Sequence, residues 1–189
     1  PADPKFSRRA EVIFAQPEGF RKRLPVSLWR QSQSAPVAFI LPGLGGHRHS
    51  KQSLALAEQA YLEGYHVVCF SNNFNWEFIQ ASPKGYLPGF TTQDVKLIGQ
   101  LQEAINQKLA TFSTGKPALM GFSMGAWYAL SIAVSKELDF YSTVLAINPP
   151  MNLRKATATL DELFLRTARQ PASKSMREAA LMKLATIQE

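Results

Sequence analysis

Five residues near the middle of the chain, Gly121-Phe122-Ser123-Met124-Gly125, have the types and spacing expected of a nucleophilic site. An apolar, strand-like run (residues 117–120) precedes them, and a helix-like run (residues 126–134) follows them. A strand-to-helix bend of this kind is so tight that glycines must flank the serine, and it holds the hydroxyl above the carboxyl edge of a sheet. The pattern predicts that Ser123 is a nucleophile. The alternative is a glycine-flanked serine that caps an ordinary helix.

A glycine-rich turn provides the second feature that acyl transfer needs. The turn Leu41-Pro42-Gly43-Leu44-Gly45-Gly46 follows directly on an apolar run, residues 36–41, which predicts a strand leading into a bend. The tetrahedral intermediate of acyl transfer carries an oxyanion, and this oxygen must meet donors that are already in place. We expect the N–H groups of Leu44 and Met124 to form that oxyanion hole. The alternative is a turn that only joins a strand to a helix.

The same glycines match neither common phosphate-binding pattern, so the sequence predicts no cofactor. A P-loop requires Gly-Lys at a fixed distance from its first glycine, and none follows here. A dinucleotide fingerprint starting at Gly43 and Gly45 would need its third glycine at the position that Arg48 occupies. Cys69 is the single cysteine, which leaves no thiolate cluster for a metal, and we expect it to pack as a small apolar residue.

Short apolar runs alternate with longer helical patterns along the chain. This order predicts an α/β fold with a mostly parallel sheet and flanking helices. The predicted strands are residues 11–14 and 25–29, which are candidates for a hairpin, and residues 36–41, 66–70, 117–120 and 142–147. The predicted helices are residues 50–63, a long helix capped by Thr91 or Thr92 and ending at Leu109, residues 123–135, and two amphipathic helices at 161–169 and 174–187.

Composition and charge exclude several classes of protein. A chain of 189 residues that is 46% hydrophobic can bury one substantial core. No apolar run reaches the length of about 18 residues that a membrane span requires, and residues 1–5 lack the character of a signal peptide. The net charge of +7 is spread along the chain and is not interleaved with stacking aromatics. We therefore expect a solvated basic surface and no nucleic-acid partner.

Four segments together resemble the α/β-hydrolase superfamily, in its serine esterase and lipase-like branch. They are PVAFILPGLGGHRHS, GYHVVCF, GFSMGAWYAL and TVLAINPP, which occur in the family's order between about residues 10 and 150. The resemblance implies a serine hydrolase that acts on a carboxylic ester, or less often an amide or thioester, with a small-molecule acyl substrate as its partner. The family's usual His-Gly at the oxyanion turn is Pro42-Gly43 here, which leaves the backbone role intact.

The resemblance also implies a division of the chain. Residues 1–150 correspond to the N-terminal part of an α/β-hydrolase core. Residues 151–189 are predicted to be a helical cap or insertion, because the pattern after Pro150 is helical with no further strand.

The chain departs from the family in its histidines. In that family the acid and the histidine follow the nucleophile along the chain, whereas His47, His49 and His66 all precede Ser123. His66 begins a predicted strand at the opposite edge of the sheet, which favours a structural role. His47 and His49 follow the glycine turn and are expected to cap or line the cleft. The alternatives are that one of them replaces the base, or that they pair as metal ligands without an evident third ligand.

We therefore expect the fold to be incomplete at its C-terminus, with the acid and the base in a part absent from this chain. The 189-residue chain alone is then expected to be inactive. The alternative is a noncatalytic α/β-hydrolase-like domain that serves binding or interaction. Five aromatic residues are candidates for an apolar acyl pocket, although aromatic residues at these spacings are more often part of the core: Trp76, Phe78, Tyr86, Phe90 and Trp127.

Overall fold

The computed structural model describes residues 4–135 and 140–169. Contacts divide the chain into two units, Pro1–Pro150 and Met151–Glu189. The first unit contains the sheet and the candidate site. The interpretation of the second unit as a helical cap or insertion stays a prediction.

Six strands form one sheet within the described residues of the first unit. They are β1 (Glu11–Ala15), β2 (Leu24–Trp29), β3 (Val37–Leu41), β4 (His66–Phe70), β5 (Ala118–Phe122) and β6 (Thr143–Ile147). The strand order is β1-β2-β4-β3-β5-β6. The antiparallel hairpin of β1 and β2 pairs through β2 with β4, and the pairings β4-β3, β3-β5 and β5-β6 are parallel. The α/β architecture with a mostly parallel sheet is confirmed.

The position of β3 inside the sheet, between β4 and β5, explains why its sequence is continuously apolar. All five of its residues are buried, as expected of a parallel strand that is covered on both faces. Phe39 belongs to the core on one face, and its neighbour Ile40 belongs to the core on the other. In register with Ile40 lie Cys69 on β4 and Met120 on β5.

The described part of the chain contains six helices. They are α1 (Pro4–Ser7), α2 (Lys51–Leu62), α3 (Trp76–Ala81), α4 (Thr91–Leu109), α5 (Met124–Ser135) and, in the second unit, α6 (Leu153–Arg169). Residues of α1 and α2 pack on the face of Ile40, while residues of α3, α4 and α5 pack on the face of Phe39. None of the helices among residues 4–135 and 140–169 is both long and apolar enough to cross a bilayer.

Several predicted boundaries were wrong. Neither Thr91 nor Thr92 caps α4; Phe90 occupies the N-cap position, and the Asp94 side chain accepts the N–H of Gly89 at 3.0 Å instead. The helix predicted at 161–169 begins earlier, at Leu153, because the Asn152 side chain accepts the N–H of Lys155 and provides a start signal. The short helices α1 and α3 were not predicted. The helix predicted at 174–187 lies outside the described residues.

The bend between β5 and α5 depends on two glycines that have no room for a side chain. A Cβ atom on Gly121 would collide with the carbonyl oxygen of Gly125. A Cβ atom on Gly125 would collide with the carbonyl oxygen of Leu41, at the end of β3. The start of α5 is therefore packed directly against the backbone of the central strand.

This close contact predicts a large effect of one added methyl group. Gly125→Ala should lower the free energy of unfolding by about 3 kcal/mol or more, because the obstacle is backbone and cannot rotate away. Urea unfolding measures the loss. Leu130→Ala, at an exposed position of the same helix, is the control and should cost well under half as much. Equal losses in the two variants would contradict the packing described here.

Candidate active site

The backbone of Ser123 has an unusual conformation. Its φ angle is 54°, in the left-handed region that residues other than glycine adopt only at a cost of about 1–3 kcal/mol. The N–H of Ser123 donates to the carbonyl of Ile147 at 2.9 Å, and its own carbonyl accepts from Trp127 at 3.1 Å. The bend is thus tied to the end of β6 on one side and to the first turn of α5 on the other. The Ser123 residue is half-buried, so its side chain is not enclosed in the core.

The glycine turn after β3 lies beside this serine. A Cβ atom built on Gly43 would be 3.4 Å from the Cβ of Ser123, which is ordinary contact distance. The N–H of Gly46 donates to the carbonyl of Gly43 at 2.9 Å and closes the turn. The structure therefore brings together the two motifs that the sequence analysis singled out, although about eighty residues separate them in the chain.

Asn72, just beyond the end of β4, holds the glycine turn in place. Its Nδ2 donates to the carbonyl of Pro42 at 3.1 Å, and its Oδ1 accepts the N–H of Gly45 at 3.2 Å. Its backbone N–H donates to the carbonyl of Gly46 at 2.9 Å. Asn72 and its bond to Pro42 are buried, which strengthens that bond, while its bond to Gly45 is partly buried. One side chain thus fixes both ends of the segment that contains Leu44.

The two predicted oxyanion donors occupy positions consistent with that role. Neither the N–H of Leu44 nor that of Met124 has a hydrogen-bond partner within the part of the chain that the structure describes. Met124 is the first residue of α5, where a helix leaves its N–H groups unpaired. Whether the two donors converge on one substrate oxygen stays a prediction.

His47, Arg48 and His49 continue the turn into a polar cluster. Arg48 forms a two-point ion pair with Glu77 of α3, at 3.3 and 3.4 Å. The Nε2 of His47 lies 3.2 Å from Glu77 Oε1, and the Oγ of Ser71 donates to Glu77 Oε2 at 2.6 Å. Glu77 is therefore the common acceptor of the cluster.

The imidazole of His49 faces a cation. Arg48 Nη1 lies 2.6 Å from His49 Nε2, so this nitrogen must be the unprotonated acceptor. Ser27 Oγ lies 2.9 Å from the same atom. No bond in the described residues links His47 or His49 to Ser123, and the hypothesis that either replaces the usual base gains no support.

Burial and the neighbouring charges shift two pKa values in this cluster. Burial, then the charge of Arg48 and then that of His47, lowers the pKa of His49 below its usual value. For Glu77, burial alone would raise the pKa, but the hydrogen bond from Ser71 and the charge of Arg48 outweigh it and lower the pKa. Both shifts favour the protonation states that the hydrogen bonds require, a neutral His49 and an anionic Glu77.

Two further predictions about single residues are confirmed. His66 is fully buried at the amino end of β4, the edge of the sheet opposite to Ser123. Its Nδ1 accepts the N–H of Gln31 at 3.0 Å, and its Nε2 lies 3.0 Å from the carbonyl oxygen of Phe112, which is a structural role. Cys69 is also fully buried, and burial raises the pKa of its thiol to about 12, so it is unreactive at neutral pH.

The aromatic candidates divide into three groups. Phe78 and Tyr86 are buried in the core, as the core interpretation predicts. Trp76 and Phe90 are largely exposed at the carboxyl edge of the sheet. Trp127, one turn after Ser123, is half-buried.

Sequence reasoning missed Asn72 and Glu77. The run Ser71-Asn72-Asn73 directly after β4 was a usable signal, because the carboxyl ends of neighbouring parallel strands lie at the same edge of a sheet. Glu77 was obscured because α3 was not predicted.

No protein-family model matches this sequence, and no curated protein matches it. Solved structures do match. The esterase Pf2001 from Pyrococcus furiosus superimposes with TM-scores of 0.63 and 0.66 in two crystal forms, at 20% identity, over 84% and 90% of this chain and 58% and 60% of the esterase chains. Est1E from Butyrivibrio proteoclasticus gives a TM-score of 0.57 at 15% identity, over 78% of this chain and 55% of Est1E.

Dienelactone hydrolase from Anabaena variabilis gives a TM-score of 0.55 at 14% identity, over 72% of this chain and 62% of its own. The chain has the α/β-hydrolase fold. It spans 58–60% of the length of the Pf2001 esterase in these two comparisons, so the matched region is the larger part of that fold and not the whole of it.

The position of Asn72 in this α/β-hydrolase fold predicts that its removal loosens the glycine turn. Asn72→Ala should lower the free energy of unfolding by about 2–3 kcal/mol, because the buried carbonyl of Pro42 and the N–H of Gly45 both lose their hydrogen-bond partner. The amide of Gly45 should exchange at least about tenfold faster, as measured by NMR. Gln59→Ala, which removes an exposed bond to Glu63, is the control and should change stability by less than about 0.5 kcal/mol. A loss no greater than that of the control would contradict the clamp.

The polar cluster predicts that acid destabilises the fold. A depressed folded-state pKa contributes stability above the unfolded-state pKa, and that stability is lost as the pH falls. For His49 the loss begins near the ordinary value of 6.5, and for Glu77 near 4.5. Urea unfolding between pH 8 and pH 5 should show a decreasing free energy. His49→Gln, which stays neutral, should show a shallower decrease; an identical slope in both proteins would refute the assignment.

Proposed function

We propose that this chain carries the nucleophile of a serine hydrolase that acts on a carboxylic ester or a related acyl substrate. The observation that carries the proposal is the strained backbone of Ser123, at a strand-to-helix bend that lies beside the glycine turn. Strain of this kind persists where the surrounding packing over-determines it, and it is concentrated at functional sites. The likeness to esterases and to a dienelactone hydrolase at the level of fold agrees with this assignment.

In the proposed reaction the Oγ of Ser123 attacks the acyl carbon and loses its proton to a base. The carbonyl oxygen becomes an oxyanion, which the N–H groups of Leu44 and Met124 stabilise. Collapse of the tetrahedral intermediate breaks the bond to the alcohol, which takes up the proton from the base. Water then adds to the acyl carbon and gives a proton to the base. Collapse of this second tetrahedral intermediate breaks the bond to Ser123 Oγ, which takes up the proton, and releases the carboxylic acid.

The base is not assigned to any histidine of this sequence. No histidine follows Ser123, and His66 is buried at the other edge of the sheet. The bonds of His47 and His49 lead to Glu77, Arg48 and Ser27. The proposal therefore applies to a longer protein, if this chain is part of one, with the base in the remainder of that protein. If there is none, the same observations favour the second candidate, a noncatalytic binding or interaction domain.

A fluorophosphonate probe tests the proposal on the complete product of the gene. The probe should modify Ser123, as shown by mass spectrometry of the labelled peptide, and Ser123→Ala should abolish labelling. The 189-residue chain alone should react about 1000-fold more slowly, since it lacks the activating base. Ser131→Ala is the matched control: Ser131 lies on the same helix, its Oγ bonds to the carbonyl of Trp127, and labelling should be unaffected.

The outcomes separate the two candidates. Labelling of the complete product at Ser123 supports the hydrolase. A complete product that reacts no faster than Ser123→Ala would favour the noncatalytic domain.

A further inference from the structure

Four large apolar side chains are exposed at the edge of the sheet where Ser123 lies. Leu44 is 53% exposed, Trp76 68%, Leu87 66% and Phe90 69%. Residues of these types are usually buried, and a group of them at one edge indicates a surface that binds something apolar. We call this group the apolar rim.

Hydrogen bonds and packing connect the segments that carry the apolar rim. Asn75 Nδ2 donates to the carbonyl of Gly45 at 3.1 Å, which ties the neighbour of Trp76 to the neighbour of Leu44. The ring of Phe74 lies 3.7 Å from the position of a Cβ built on Gly89, the residue before Phe90. The segment that carries Trp76 therefore connects the segment of Leu44 to the segment of Leu87 and Phe90.

A buried network keeps the segment of Leu87 and Phe90 in place. Asp94 accepts the hydroxyl of Tyr86 at 2.6 Å and the N–H of Gly89 at 3.0 Å, on either side of Leu87. Asn73 Nδ2 donates to the same Tyr86 hydroxyl at 3.1 Å. Leu87 and Phe90 are thus exposed on a loop that is anchored from beneath, so their exposure is a property of the fold.

The apolar rim is continuous with the proposed site. Leu44 follows Gly43, which lies beside Ser123, and its N–H is one of the proposed oxyanion donors. The charged residues nearest in the cluster, Arg48 and Glu77, are paired with each other. The pairing leaves neither Arg48 nor Glu77 free to bind an anion. The exposed apolar side chains next to the nucleophile therefore favour an uncharged apolar substrate group over an anionic one.

We propose that the apolar rim binds the extended apolar acyl chain of the substrate while the ester carbonyl lies at Ser123. This inference rests on the proposed function and adds the substrate class. The acyl chain of the substrate binds beside the reacting carbon, and its binding energy therefore makes long-chain esters react faster than short-chain esters.

Two fluorophosphonate probes that differ only in their alkyl chain, ethyl and decyl, test the proposal on the complete gene product. The wild-type protein should react faster with the decyl probe. In the double variant Trp76→Ala, Phe90→Ala the ratio of decyl to ethyl labelling rates should fall about tenfold or more, because two contact surfaces are lost. Leu62→Ala is the control: Leu62 is 72% exposed on α2, on the other face of the sheet, and the ratio should stay unchanged.

The melting temperature of the double variant should stay close to that of the wild type, because both substituted positions are exposed, and this measurement checks that the variant is folded. If the wild type is labelled and the double variant has the same ratio of decyl to ethyl labelling rates, the apolar rim is not an acyl-binding site. Loss of binding to phosphatidylcholine vesicles in that variant, with an unchanged ratio, would also overturn the proposal and would identify a membrane-contacting surface. Failure of the wild type to react with either probe would instead refute the proposed function, and this inference with it.

Discussion

The close contact between the start of α5 and the end of β3 is the constraint on which the site depends. Gly125 makes it possible, because a Cβ atom there would collide with the carbonyl oxygen of Leu41, and Gly121 makes the bend itself possible, because a Cβ atom there would collide with the carbonyl oxygen of Gly125. The helix must then leave the strand at once, and Ser123 takes the left-handed conformation that this requires. Packing of the central sheet therefore supports the strain at the serine, and the hydroxyl remains outside the core.

The glycine turn depends on a different kind of support. Its own residues contribute little packing, and its shape is set by hydrogen bonds from the end of the adjacent strand, chiefly those of Asn72. Beyond the turn, Arg48, His49 and Glu77 form a polar cluster that is stable in one protonation state. In the proposed reaction the N–H of Leu44 must be in position before the substrate arrives, and the hydrogen bonds of Asn72 on either side of Leu44 agree with that requirement.

Much of the fold could be predicted from the sequence because its signals are local. The six strands are short apolar runs, and the elbow glycines are required by a contact that any protein with this bend must make. The helix α3 and the role of Asn72 could not be predicted, since they depend on which loops meet at the edge of the sheet. The exposure of Trp76 and Phe90 could not be predicted either, because aromatic residues at these spacings are more often part of a core.

A crystal structure of the complete gene product after reaction with a fluorophosphonate tests the central claim most directly. The phosphorus atom should be bonded to Ser123 Oγ, and the phosphoryl oxygen should lie about 2.7–3.1 Å from the amide nitrogens of both Leu44 and Met124. A phosphoryl oxygen directed into solvent, or a glycine turn whose Leu44 N–H points away from it, would contradict the account.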